Sequence, residues 1–145
     1  MRWINFHRIF LFVNIFMVNL KEHIEDIIKF LRSIEFNIDP IPKIKIDDTD
    51  NDPNDIFIKT GYYDGNSIVL CTSNRHIKDI LRTFCHEIVH HYQHLRDPEN
   101  YQNLNFNGSI YDNKGLKDME REAYEKGNLL FRLYTEYKQG KIVGD

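Results

Sequence analysis

Cysteine is scarce in this chain. Cys71 and Cys85 are the only two among 145 residues, too few for the disulfide scaffold of a small secreted protein, so reduced thiols in a cytoplasmic setting are expected. Positive charge is not in excess either. Nineteen Lys and Arg against 22 Asp and Glu leave a formal net charge of -3 and a pI near 6.1. That balance argues against a general nucleic-acid binder held by a basic surface. A long hydrophobic run is also missing. The most apolar stretch, Ile9 to Val18, contains Asn14 and is about half of the roughly 20 residues that a spanning helix needs. Arg2 and Arg8 precede it as in a secretory leader, yet Asn19, Leu20, Lys21 and Glu22 follow it with no small-residue cleavage site. Residues 1–19 therefore read as a leader, an anchor or an N-terminal extension, and Met17 is an alternative start. Membrane attachment is not expected, but this run leaves it open. Residues 20–145 read as one domain, with no repeat and no internal linker.

What is present is a globular composition, 41% apolar and 28% charged, sufficient to bury a core. Leu20, Ile24, Ile27, Ile28, Leu31 and Ile34 recur at helical spacing and predict an N-terminal helix over residues 20–36. Pro40 and Pro42 break the chain, and Ile41 to Ile46 alternates as an edge strand. An acidic loop, 47–55, leads to a second predicted strand, Ile56 to Tyr63. The turn Asp64-Gly65-Asn66 joins it to a third, Ser67 to Cys71, as a hairpin. Thr72, Ser73 and Asn74 are N-cap candidates for a long helix that ends near Arg96, before Asp97-Pro98. A polar connection over 97–115 and a final helix over 116–139, stopped by Gly140, complete an α+β order of elements.

The long helix carries Cys85-His86-Glu87-Ile88-Val89-His90, an H-E-x-x-H motif. Histidines four apart lie about 40° apart in rotation and about 6 Å apart along a helix, so both imidazoles can reach one tetrahedral Zn2+. Glu87 lies one residue round from His86, beside the ion and not on it, where a general base acting on a metal-bound water belongs. With Ile88 as the centre of the apolar stripe, Ile77, Leu81, Phe84, Tyr92 and Leu95 fall within about 40° of it, and both histidines point to the opposite side. A purely solvated polar face is the alternative.

Such a site needs a third protein ligand and leaves a fourth position open. The last helix reads Met119-Glu120-Arg121-Glu122-Ala123-Tyr124-Glu125. Its apolar face centres on Ala123. Glu120 sits about 60° from that centre, and Glu122 about 100° away on the other side. Glu120 is thus the preferred ligand and Glu122 the alternative. Ala123 and Gly127 are small and would let another helix approach closely. Cys85 lies on the apolar face and reads as a structural thiol. His91 and His94 follow the motif, and His94 reads as a surface group or a support for the ligands.

His86-Glu87-Ile88-Val89-His90 followed by Glu120-Arg121-Glu122-Ala123 resembles the H-E-x-x-H then E-x-x-A pattern of the zincin metallopeptidases of minimal gluzincin type, which include the ImmA/IrrE-type and Ste24/HtpX-like peptidases. The resemblance covers residues 77–135. Tyr124 stands where an Asp often follows in the Ste24-like pattern. Arg96 stands where a metzincin would carry its third His. The resemblance implies a small zincin-like α+β domain: an N-terminal helix, a short, mostly antiparallel sheet, an active-site helix and a C-terminal helix supplying the third ligand. It implies a Zn2+-dependent metallopeptidase acting on a peptide or protein substrate, with His86, His90 and Glu120 as metal ligands and Glu87 as catalytic base. It also implies an edge strand, Ile56 to Tyr63 or Ser67 to Cys71, that holds the substrate extended. Tyr62, Tyr63 and Tyr111 are candidates for stabilising the oxyanion. The alternative is a zinc-binding regulatory module of the same fold that engages a partner protein without cleaving it.

Overall fold

The computed structural model describes residues 11–56, 58–104 and 114–140, with side chains from residue 19 onward. Helix α1 spans Leu11–Ser33, followed by strands β1 Lys43–Asp47, β2 Gly61–Tyr63 and β3 Ser67–Cys71. Helices α2 Ile77–Arg96, α3 Pro98–Asn103 and α4 Lys114–Lys138 complete the chain. The architecture is α+β, with a helix at either end and a three-stranded sheet between. No helix among the described residues is long and apolar enough to cross a membrane. Of the uncertain segment 1–19, residues 1–10 lie outside the described residues, and the remainder belongs to the start of α1.

The sheet is mixed rather than mostly antiparallel. Its order is β1-β3-β2. The hairpin partners β2 and β3 are antiparallel, Tyr62 opposite Val69, whereas β1 pairs with β3 in parallel from Lys43–Ser67 to Asp47–Cys71. Residues 48–60 carry the chain past β3's position to the outer edge, and the hairpin then returns it beside β1 in the same direction. Gly65 (φ 95°) and the Asp64 carboxylate, which accepts from the Asn66 and Ser67 amides at 2.9 and 2.7 Å, build that hairpin. Central β3 is buried at every position. Its Ile68 and Leu70 face the main core, where Ile27 and Leu31 of α1, Phe84, Cys85 and Ile88 of α2, and Ala123, Leu130 and Tyr134 of α4 meet.

Other boundaries also differ from expectation. The predicted second strand contracts to Gly61–Tyr63. Its apolar residues Ile56 and Ile58 are 90% and 69% exposed, so their pattern signals no buried face. Helix α2 is capped by His76, whose Nδ1 accepts from the Lys78 amide at 3.1 Å, and not by Thr72, Ser73 or Asn74. Asn74 instead adopts a left-handed turn conformation, φ 55°. The expected connection after Arg96 contains α3. Asp97 ends α2 through its amide and starts α3 through its side chain, which accepts from the Asn100 amide at 3.3 Å. Helix α4 stops as expected before Gly140, φ 73°.

Candidate metal centre

His86, Glu87 and His90 project from consecutive turns of α2 toward α4. This side of α2 is not solvated: His90 is 5% exposed and Glu87 7%. Small residues of α4 make the cover close. Ala123 is fully buried. A Cβ built on Gly127 would stand 3.0 Å from His86 Cα and 3.1 Å from its amide nitrogen, so α4 lies against the backbone of the metal-motif turn. That approach brings Glu120, two turns earlier on the same face, to the histidines. Its Oε1 is 3.0 Å from His90 Nε2 and its Oε2 is 3.4 Å from His86 Nε2. One ligand atom from each of His86, His90 and Glu120 lies within 4.8 Å of the others. With bonds of 2.0–2.1 Å, ligand atoms on a tetrahedral zinc stand about 3.3 Å apart. The donor set suits Zn2+, the two Glu120–histidine distances are close to that spacing, and no fourth His, Cys, Asp or Glu joins the cluster among the described residues.

The electrostatics follow from placing two imidazoles and two carboxylates in one half-buried space. Burial alone would raise the Glu120 carboxyl. Hydrogen bonds from His86 and His90, with their charge, outweigh that and hold it at about 2. Burial would lower His90, but the hydrogen bond to Glu120 and the nearby negative charges raise it above the ordinary imidazole value. Glu87 makes no such pairing. Burial pushes its carboxyl up, against the opposing pull of His90 and His86. Burial also pushes the Cys85 thiol up to about 12, in keeping with a structural thiol. Cys71 and Cys85 are both buried and free.

Glu122, the alternative ligand, points elsewhere. It accepts from both Arg96 Nη atoms at 2.9 and 3.1 Å and from Gln93 Nε2 at 2.9 Å. Gln93 was not marked by any sequence pattern, yet it is fully buried. It touches His90 Nδ1 through Oε1 at 2.8 Å and donates through Nε2 to Met119 O at 2.9 Å.

His94 and His91 meet at Tyr63, whose hydroxyl lies 2.8 Å from His91 Nδ1, 2.9 Å from His94 Nδ1 and 3.1 Å from Gly65 O. These contacts occupy Tyr63, so of the three tyrosines considered for the oxyanion it is committed to holding β2 against α2. Tyr62 is exposed, and Tyr111 lies outside the described residues. Tyr101 of α3 was missed. Its ring stacks on His94 at 4.9 Å and borders the same cleft as His86, Glu87 and Glu120. Asp97-Pro98 was the available signal, since an N-cap followed by proline starts helices as well as ending them.

The cleft in front of His86 and Glu87 is bordered by Gly61, Tyr62 and Tyr63 of β2 and by Tyr124 of α4. The Tyr124 ring leans on His86 with centroids 4.6 Å apart. β2 is the outer strand on this side, and β3 has both edges occupied. Of these two strands, only β2 has an edge with no strand paired to it among the described residues. In comparisons with known proteins, no family model, no curated sequence and no solved structure matches this chain.

Proposed function

We propose that this chain is a zinc-dependent metallopeptidase of minimal gluzincin type, hydrolysing peptide bonds in a peptide or protein substrate. The observation that carries the reading is the convergence of His86 Nε2, His90 Nε2 and the Glu120 carboxylate to within 4.8 Å of one another, at a cleft that Glu87 also lines. His86, His90 and Glu120 would hold the ion. When bound, zinc supplies a Lewis acid that polarises a carbonyl and acidifies water.

The remaining work falls to the chain. Glu87 is the general base: it takes a proton from the attacking water and passes it to the leaving amine. It is the one carboxylate of the cluster not committed to a histidine, and its burial excludes bulk water from that transfer. The outer edge of β2 offers backbone groups to an extended peptide, which would add as a strand beside Gly61 to Tyr63. Arg75 steadies that edge. Its guanidinium donates to Thr60 O and Cys71 O at 3.0 and 2.8 Å, and to Asp79 O and Thr83 Oγ1 at 3.0 and 2.7 Å, so β2 is anchored to the first turns of α2. An intact, buried Glu87 supports hydrolysis over binding alone, since a module that only holds a partner has no use for a base there.

The test combines metal analysis with a proteomic comparison of cleavage products. Wild type is expected to carry about one zinc per chain. Glu87→Gln should keep that metal and lose hydrolysis by roughly 10²- to 10⁴-fold. Full activity in Glu87→Gln would refute the base, and the absence of zinc from wild type would refute the class.

A further inference from the structure

We infer that Gln93 is a positioning residue for the proposed zinc site, fixing the His90 proton on Nδ1 so that Nε2 is the nitrogen presented to the metal. The inference rests on the zinc reading above and adds to it the residue that decides which face of one ligand is used.

The argument is one of donors and acceptors. Gln93 is fully buried, so its amide must satisfy its hydrogen bonds within the protein. The end of the amide that faces α4 meets two groups, Met119 O and Glu122 Oε1, each at 2.9 Å. A backbone carbonyl only accepts. The Glu122 carboxylate also only accepts, because Arg96 already donates to both of its oxygens. The end facing α4 must therefore be the NH2 group, whichever way the amide is first drawn. The carbonyl end is then forced toward His90, 2.8 Å from Nδ1. An amide oxygen there requires a hydrogen on Nδ1, which leaves the Nε2 lone pair for the ion. Nε2 is also the atom that faces Glu120.

The relay runs from Arg96 through Glu122 and Gln93 to His90, and it spans both helices of the site. Glu122, which faces away from the ligand atoms, thus acts on His90 from behind. Gln93 supplies His90 with an orienting partner from one turn further along α2. Partners of this kind fix the tautomer and ring angle of metal-binding histidines, and their loss weakens metal affinity on the order of 10- to 100-fold.

Two measurements test it, both on the full chain. In zinc-loaded wild type, nitrogen-15 spectra of the histidine side chains should show His90 metallated at Nε2, with a slowly exchanging proton on Nδ1. Coordination through Nδ1, or an Nδ1 without a proton, would overturn the inference. Zinc competition with a chromophoric chelator should then show Gln93→Met binding at least about 10-fold more weakly. Gln93→Met binding zinc within about twofold of wild type would overturn the inference while leaving the zinc site standing. Should Gln93→Met fail to fold, the wild-type spectra decide alone. A wild type that takes up no zinc would be the separate failure of the function proposed above.

Discussion

His90 Nε2 and Glu120 Oε1 sit 3.0 Å apart, one on α2 and one on α4, which pack on one another. Through this contact the packing of α2 against α4 and the chemistry of the site become a single property. Changes that part the helices should lower metal affinity, and metal binding should hold the helices together.

Removing one ligand tests the set directly. His86→Ala and Glu120→Ala should each lose most of the zinc held by wild type, measured by plasma emission after gel filtration. Glu122→Ala should retain it, because that carboxylate faces Arg96 and Gln93 rather than the ligand atoms. Equal loss in Glu122→Ala and Glu120→Ala would sink the assignment of Glu120.

Gly127 sets the distance between the helices. An added side chain meets the backbone of His86 and Cys85 at 3.0 to 3.3 Å, atoms that cannot swing aside. Gly127→Leu should cost about 1–3 kcal/mol in urea unfolding, despite the better helix propensity of leucine. It should also weaken zinc binding by moving Glu120. An unchanged urea midpoint would contradict the close approach.

The metal-free chain should show a pH signature of the Glu120–histidine cluster. The Glu120 carboxyl is depressed to about 2 when folded, against about 4.3 unfolded. Its stabilisation is present above the unfolded value and is lost as pH falls toward 2. His90 is raised when folded, so its share is present below about 6.5 and is lost as pH climbs through the folded value. The stability difference between wild type and Glu120→Gln, both in chelator, should therefore peak between about pH 4.5 and 6.5. A difference that rose steadily to pH 9 would contradict the pairing. Zinc must displace the His90 proton, so calorimetry near neutral pH should register proton release as a dependence of the heat on the buffer.

Tyr63 joins β2 to α2 through two histidines. Tyr63→Phe deprives His91 Nδ1 and His94 Nδ1 of their shared partner. It should cost about 1–3 kcal/mol, read from the urea midpoint. A cost below about 0.5 kcal/mol would show that water replaces the hydroxyl freely.

The helices were legible because their apolar residues repeat with the helical period. The N-terminal, metal-motif and C-terminal helices were all expected, and Gly140 marks the end of α4 by its left-handed backbone. Ser67 to Cys71 and the Asp64-Gly65 turn were legible from another local signal, a turn sequence followed by a short apolar run. The sheet was less so. Ile56 and Ile58 mimic a strand that the fold leaves in solvent, and the parallel partnership of β1 with β3 depends on where the 48–60 excursion lands. Periodicity around α2 also misled in one respect. It marked one buried face, whereas His90 and Gln93 are buried as well, against Glu120 and Met119 of α4, and so is His91, against Tyr63 and the Ile38 and Pro40 carbonyls.

By itself the order of residues determined that His86 and His90 share one side of a helix with Glu87 beside them, since 3.6 residues per turn is a property of neighbouring peptides alone. Only the tertiary structure decided that Glu120 meets them while Glu122 turns to Arg96, and that Gln93 stands behind His90. Those outcomes depend on how deeply α4 settles onto α2, and that depth comes from contact between segments distant in the chain, at Ala123 and Gly127, where the side chains are small enough to let two backbones touch.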